Sequence, residues 1–94
     1  MATYQIVQWR NIPLVVEAQD GSGPAARALS ERFQMLVDSA ATQLGLDGSE
    51  EYLQQWGKTA PAERAGTAQE VVDAVALELE ERFSEFIGQA FHRP

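Results

Sequence analysis

Residues 3–26, TYQIVQWRNIPLVVEAQDGSGPAA, limit the possible folds more than any other stretch of this chain. Tyr4, Ile6, Val7 and Trp9 form one short run rich in β-branched and aromatic side chains, and Ile12, Leu14, Val15 and Val16 form a second. Such side chains suit a pleated, half-buried backbone, and the two residues between the runs, Arg10 and Asn11, suit a tight reversal, so the segment predicts a β-hairpin. Asn11 is expected to take the left-handed conformation of that reversal, and Pro13, with no N–H to donate, fits a strand start or outer side. Val7, Trp9, Leu14 and Val16 are expected to face helices. Tyr4, Ile6 and Val15 either lie under a helix end or stay open to another chain. A two-stranded hairpin is marginal in water, so this one requires cover.

The cover is predicted to be helical. Residues 19–23 read as a turn in which Ser22 or Gly23 caps a helix carrying Pro24 in its first turn and running to about Leu44. Leu29, Phe33, Leu36, Ala40 and Leu44, with Val37 and Ala41 beside them, recur at helical spacing and make one apolar stripe. Gly45 is expected to end it with a left-handed cap on which Leu46 folds back. A short helix capped by Asp47 or Ser49 then runs through Trp56 until Gly57 stops it, and residues 57–66 read as a loop. Thr67 to Glu70 form a capping box for a last helix reaching about Gln89. Its apolar stripe holds Val71 or Val72, Val75, Leu79, Phe83, Phe86 and Ile87, opposite Asp73, Glu80, Glu81 and Glu85. The sum is one α+β domain over residues 1–94, an N-terminal β-hairpin packed on two long amphipathic helices and one short helix.

Ninety-four residues bury a modest core, and with no cysteine there is no disulfide to reinforce it, so a partner or an oligomer is expected to help. The same lack of cysteine removes thiol catalysis and thiolate metal sites and fits a reducing, cytoplasmic setting. Polar Gln5 and Gln8 interrupt the first apolar run, so no signal peptide is expected, and no apolar run approaches a membrane span. A net charge of −7, with seven scattered basic residues, opposes nucleic acid and anionic lipid.

Few residues carry chemistry. Gly21-Ser22-Gly23-Pro24-Ala25-Ala26 matches G-x-G-x-x-A between a predicted strand and a predicted helix, the setting of a dinucleotide fingerprint. Pro24 removes one of the required N–H donors, however, and no further strands are foreseen to build the crevice. A plain connector is the simpler reading, and the alternative is an anion-binding site made by Arg10, Gly21, Ser22 and Gly23 at the helix start. His92, the single histidine, has no second histidine or cysteine with which to ligate a metal, so neither metal nor cofactor is expected. Glu78, Glu81 and Glu85, with Arg82 four residues after Glu78, read as solvated helix surface. Trp9, Tyr52 and Trp56 are candidate partner-binding anchors, since large aromatic side chains with polar tips bury much area at little entropic cost. Arg10 and Asn11 at the hairpin tip complete that candidate surface.

Tyr4-x-x-x-x-Trp9-Arg10-Asn11-Ile12-Pro13, followed by Leu29-Ser30-Glu31-Arg32-Phe33-Gln34 and Tyr52-Leu53-x-x-Trp56, resembles the small bacterial "virulence factor" domain family over nearly the whole chain. The family position after Arg10 is more often acidic, so Asn11 departs from the pattern. The resemblance supplies no catalytic residue. It implies an attachable module, because related domains stand alone or follow NifU-like and helical-repeat segments, and it associates stand-alone members with genes for folate- and corrinoid-linked methyl transfer. The expected function is therefore a non-enzymatic accessory domain that docks onto a larger enzyme or onto itself.

Overall fold

The computed structural model describes residues 1–46 and 50–90, with side chains as far as residue 88. The hairpin exists, as β1 (Ala2–Trp9) and β2 (Ile12–Asp20), and its strands pair antiparallel with Thr3 opposite Gln19 and Trp9 opposite Ile12. The register shifts between Val7 and Gln8, where Val7 faces Val15 but Gln8 faces Pro13, leaving Leu14 as the extra residue of a bulge. That bulge explains why Ile12, Pro13 and Leu14 are buried in succession despite strand alternation.

The first correction follows directly. Residues 23–28 do not start a helix but form β3 (Gly23–Ala28), antiparallel to β2. Asp20 and Gly23 pair across a two-residue turn of Gly21 and Ser22, and the Asp20 carboxylate accepts the Ser22 N–H at 2.7 Å. Gly-Ser is a two-residue hairpin connection, Gly23 after it takes φ 131°, and the pairing this allows outweighs the helical leaning of the alanines. The helix α1 (Glu31–Gln43) begins only after Ser30. Its buried residues, Phe33, Leu36, Val37, Ala40 and Ala41, are those of the predicted stripe, while Leu29 precedes it and donates its N–H to Leu14. At its end Gly45, at φ 71°, and Leu46 return their N–H groups to Thr42 and Ala41, the Schellman arrangement expected of that glycine.

The span 57–66 is also not a simple loop. After α2 (Glu50–Gln54), β4 (Trp56–Lys58) pairs with residues 7–9 of β1 and β5 (Ala62–Arg64) with residues 2–4. Trp56 thus ends up on a strand rather than at the end of a helix. The caps proposed at Asp47 and Ser49, like His92, lie outside the described residues. The sheet has five strands in the order β3-β2-β1-β4, with β5 sharing the β1 edge. Consequently β1 is paired on both sides, and β3 forms one edge of the sheet.

The last helix is broken. α3 (Ala68–Glu81) starts with the predicted capping box, Thr67 Oγ1 accepting the Glu70 N–H and Glu70 Oε1 accepting the Thr67 N–H. It ends at Glu81 with Arg82 as its C-cap, and a separate helix, α4 (Phe83–Ala90), follows. The break brings Phe83 edge-on to Phe33 of α1 at 4.9 Å and Phe86 to 6.0 Å from the same ring. Ile87, assigned to the core stripe, is exposed. One face of the sheet packs on α3 through Val71, Val72, Val75, Ala76 and Leu79, and these residues share a core with Trp9, Ile12, Val16, Phe33 and Val37. Each fully buried aliphatic side chain contributes ~1.5 to 3 kcal/mol of transfer free energy. Tyr4 and Ile6 lie on this face, in a small groove with Val75, Leu79 and Arg82. Val7, expected there too, pairs with Val15 and shares its face on the opposite side, whose neighbouring rows hold Thr3, Gln5, Glu17 and Gln19.

Candidate functional site

At the hairpin tip Arg10, not Asn11, takes the left-handed conformation, with φ 55°. A Cβ atom crowds the neighbouring carbonyl oxygen there, at a cost of ~1 to 2 kcal/mol. The Arg10 N–H is held by the Gln55 carbonyl at 2.9 Å, so the tip is anchored to the turn between α2 and β4. The same corner holds the three aromatic residues singled out in the sequence. Trp9 and Trp56 are paired across β1 and β4, Trp9 lies 5.6 Å from Tyr52 ring to ring, and Tyr52 lies 6.3 Å from Trp56 at a steep angle.

These residues do different work. Trp9 is 0% exposed and its Nε1 donates to the Tyr52 carbonyl at 2.9 Å, so it supports the corner from beneath and cannot itself touch a partner. Tyr52, Trp56 and Arg10 are half-buried and Asn11 is exposed, which leaves parts of all four at the surface. Leu53, between Tyr52 and Gln54 on α2, is 68% exposed. Leu53 and Gln55 were not foreseen as site residues. The exposed Leu53 carries no signal in sequence, because its face on a five-residue helix is set by the Trp9 to Tyr52 contact.

The anion site is overturned as drawn. Gly21 and Ser22 connect two strands, so no helix N-terminus points from them, and the free N–H of Ser22 is already taken by a carboxylate. Arg10 and this turn lie at opposite ends of β2, roughly 30 Å apart at the usual rise per residue. The helix that the turn does serve is α3: Asp20 Oδ2 accepts the Ala68 N–H at 2.6 Å. That bond first, and the Ser22 N–H second, hold the Asp20 carboxyl below its ordinary pKa.

Several other acidic groups are similarly engaged in structure. Glu80 accepts the Ser30 N–H at 2.6 Å and the Ser30 hydroxyl at 2.7 Å, and pairs with Arg32 at 3.0 Å. Partial burial pushes its carboxyl up, but the bonds from Ser30 and Arg32 together outweigh that and hold it low. Arg27 lowers Asp73 and Arg64 lowers Glu78 in the same way. Glu78 therefore pairs with β5 rather than with Arg82, which turns to Glu85 at 3.2 Å. Among the described residues no group of three His, Asp or Glu side chains is arranged to hold a metal ion, and no helix is long and apolar enough to cross a membrane.

A family model described as Virulence factor matches residues 7–86, which takes in the tip, the aromatic corner and the helices up to Phe86. Comparison with curated proteins and comparison with solved structures each return no match.

Proposed function

The chain belongs to the virulence factor family, and on that premise we propose that it is a non-enzymatic docking domain that binds a protein partner through the hairpin tip and the adjoining α2–β4 corner. The observation that carries this reading is the convergence of Arg10, Asn11, Tyr52, Leu53 and Trp56 on one corner, around a buried Trp9. Aromatic residues on a rigid support lose little entropy on binding, and a nearby guanidinium and amide supply orientation. The left-handed Arg10 adds to it, since strained backbone held by its surroundings gathers at working surfaces. The partner is a larger enzyme, in keeping with the attachable character of related domains, and the lack of cysteine supports a cytoplasmic setting.

Affinity capture from the native host tests this with three proteins of equal thermal stability: the unaltered chain, Leu53→Asp and Met35→Asp. Met35 is an exposed residue on α1, away from the corner. A partner retained by the unaltered chain and by Met35→Asp, but lost with Leu53→Asp, is the expected result. Equal capture by all three removes the corner as the docking site.

A further inference from the structure

β3 ends the sheet, and among the described residues no strand pairs along its outer side. Which backbone groups it presents there follows from the register. The Leu29 N–H donates to Leu14 at 2.8 Å, one residue beyond the Ala28 to Val15 pair. Alternation then turns the N–H and C=O groups of Gly23, Ala25 and Arg27 toward β2, and those of Pro24, Ala26 and Ala28 outward. Pro24 thus occupies an outward position, where its missing N–H costs the sheet nothing. Ala26 and Ala28 each offer an unpaired donor and acceptor, and Pro24 an acceptor. An edge like this is ordinarily protected by charge, brevity or a bulge. Here Pro24, Ala26 and Ala28 are small and exposed, and the strand's one charged side chain, Arg27, is drawn to Asp73 of α3 at 2.7 Å rather than left to guard the edge.

We propose that β3 pairs antiparallel with β3 of a second copy, about a two-fold axis at Ala26, joining the two sheets into one. In that register each Ala26 N–H meets the opposite Ala26 carbonyl, and each Ala28 N–H meets the opposite Pro24 carbonyl. Every outward donor is satisfied, and the proline that lacks one lies opposite a residue whose N–H it accepts. Beside the strand, a groove of 480 Å³ lined by Ala28, Leu29, Ala76 and Leu77 leaves Leu77 of α3 60% exposed, and pairing brings the second copy over it. Charge favours this occupant over a charged peptide, because the ionic groups along the groove are already balanced, Arg27 by Asp73 at 2.7 Å and Glu80 by Arg32 at 3.0 Å. The dimer is independent of the docking corner.

Sedimentation equilibrium of the full chain over a wide concentration range tests the proposal. The unaltered chain is expected to dimerise, more tightly at higher salt because each copy carries a net charge of −7. Ala26→Pro removes an outward N–H without disturbing the β2 pairing and is expected to raise the dissociation constant by about tenfold or more, with an unchanged circular dichroism spectrum. Leu77→Lys, on the surface of α3, is expected to weaken the dimer as well, and it decides the matter should Ala26→Pro fail to fold. Leu53→Asp is expected to leave the dimer intact. A chain that stays monomeric throughout overturns the proposal, and so does a dimer indifferent to both Ala26→Pro and Leu77→Lys.

Discussion

Thr59 and Ile6 satisfy each other in the gap between two strands. The Ile6 N–H donates to the Thr59 hydroxyl at 3.0 Å, and the Thr59 N–H donates to the Ile6 carbonyl at the same distance. β4 ends at Lys58 and β5 begins at Ala62, so without Thr59 the middle of β1 would have an edge partner for neither group. The Thr59 carbonyl also accepts from the Gln5 side chain at 3.0 Å. One residue thereby lets a short, irregular segment complete the pairing of β1.

Replacing that hydroxyl by a methyl group isolates its contribution. Thr59→Val keeps shape and β propensity but leaves the part-buried Ile6 N–H without an acceptor, so a loss of ~1 to 3 kcal/mol is expected in urea unfolding. Thr59→Ser, which keeps the hydroxyl, is expected to lose much less. Equal losses in the two variants would mean that the methyl packing, not the hydrogen bond, closes the gap.

The extent to which this arrangement is legible in sequence differs between elements for identifiable reasons. The hairpin, the α1 stripe, the Gly45 cap and the Thr67 capping box rest on local chemistry, and each is found where the residues suggest. β3 was hidden because Pro24-Ala25-Ala26-Arg27-Ala28 carries helix-favouring alanines and little alternation, and only pairing with β2 makes it a strand. β4 and β5 are three residues each and have no periodicity to detect, since β1 supplies their order. The break at Arg82, after which Phe83 meets the Phe33 ring of another helix, falls at no glycine or proline that would announce it in sequence. At the candidate site, the aromatic residues were visible as types, but the burial of Trp9 and the exposure of Leu53 depend on contacts more than forty positions apart.

Trp9→Phe tests the support beneath the corner. It removes the Nε1 bond to Tyr52 and part of a fully buried ring, so a destabilisation of ~1 to 3 kcal/mol is expected. Amide exchange should also rise selectively in α2, because that bond ties α2 to β1. Uniform exchange throughout the chain would instead make Trp9 a general core residue with no special hold on the corner.

The acid limb of stability should depend on Asp20. Its carboxyl is held below the ordinary value in the folded chain, first by the Ala68 N–H and then by that of Ser22. The unfolded chain therefore binds more protons as pH falls below about 4, so the stabilisation is present above the unfolded pKa and is lost as pH drops through the folded one. Asp20→Asn does not titrate there. It should be less stable at neutral pH and show a shallower loss of melting temperature between about pH 4 and pH 2. Asp73, Glu78 and Glu80 are shifted in the same direction, so some acid sensitivity should persist. Parallel pH profiles for the two proteins would remove Asp20 as a contributor.

Arg10→Gly should separate stability from docking at the tip. Glycine adopts φ 55° without the Cβ clash that arginine suffers, so relief of strain is expected to exceed the added entropy of the unfolded chain and to raise stability by up to ~1 kcal/mol. The backbone bond to Gln55 involves no side-chain atom of residue 10 and should survive. What disappears is the Arg10 side chain at the hairpin tip, and if that group orients the partner, capture should weaken while the melting temperature rises. Opposite movement of the two measurements is the outcome a docking role for Arg10 requires, because a residue that only forms the turn would be improved upon by glycine with no loss elsewhere. A more stable variant that captures the partner as well as the unaltered chain would assign Arg10 to the turn alone and leave Tyr52, Leu53 and Trp56 as the contact.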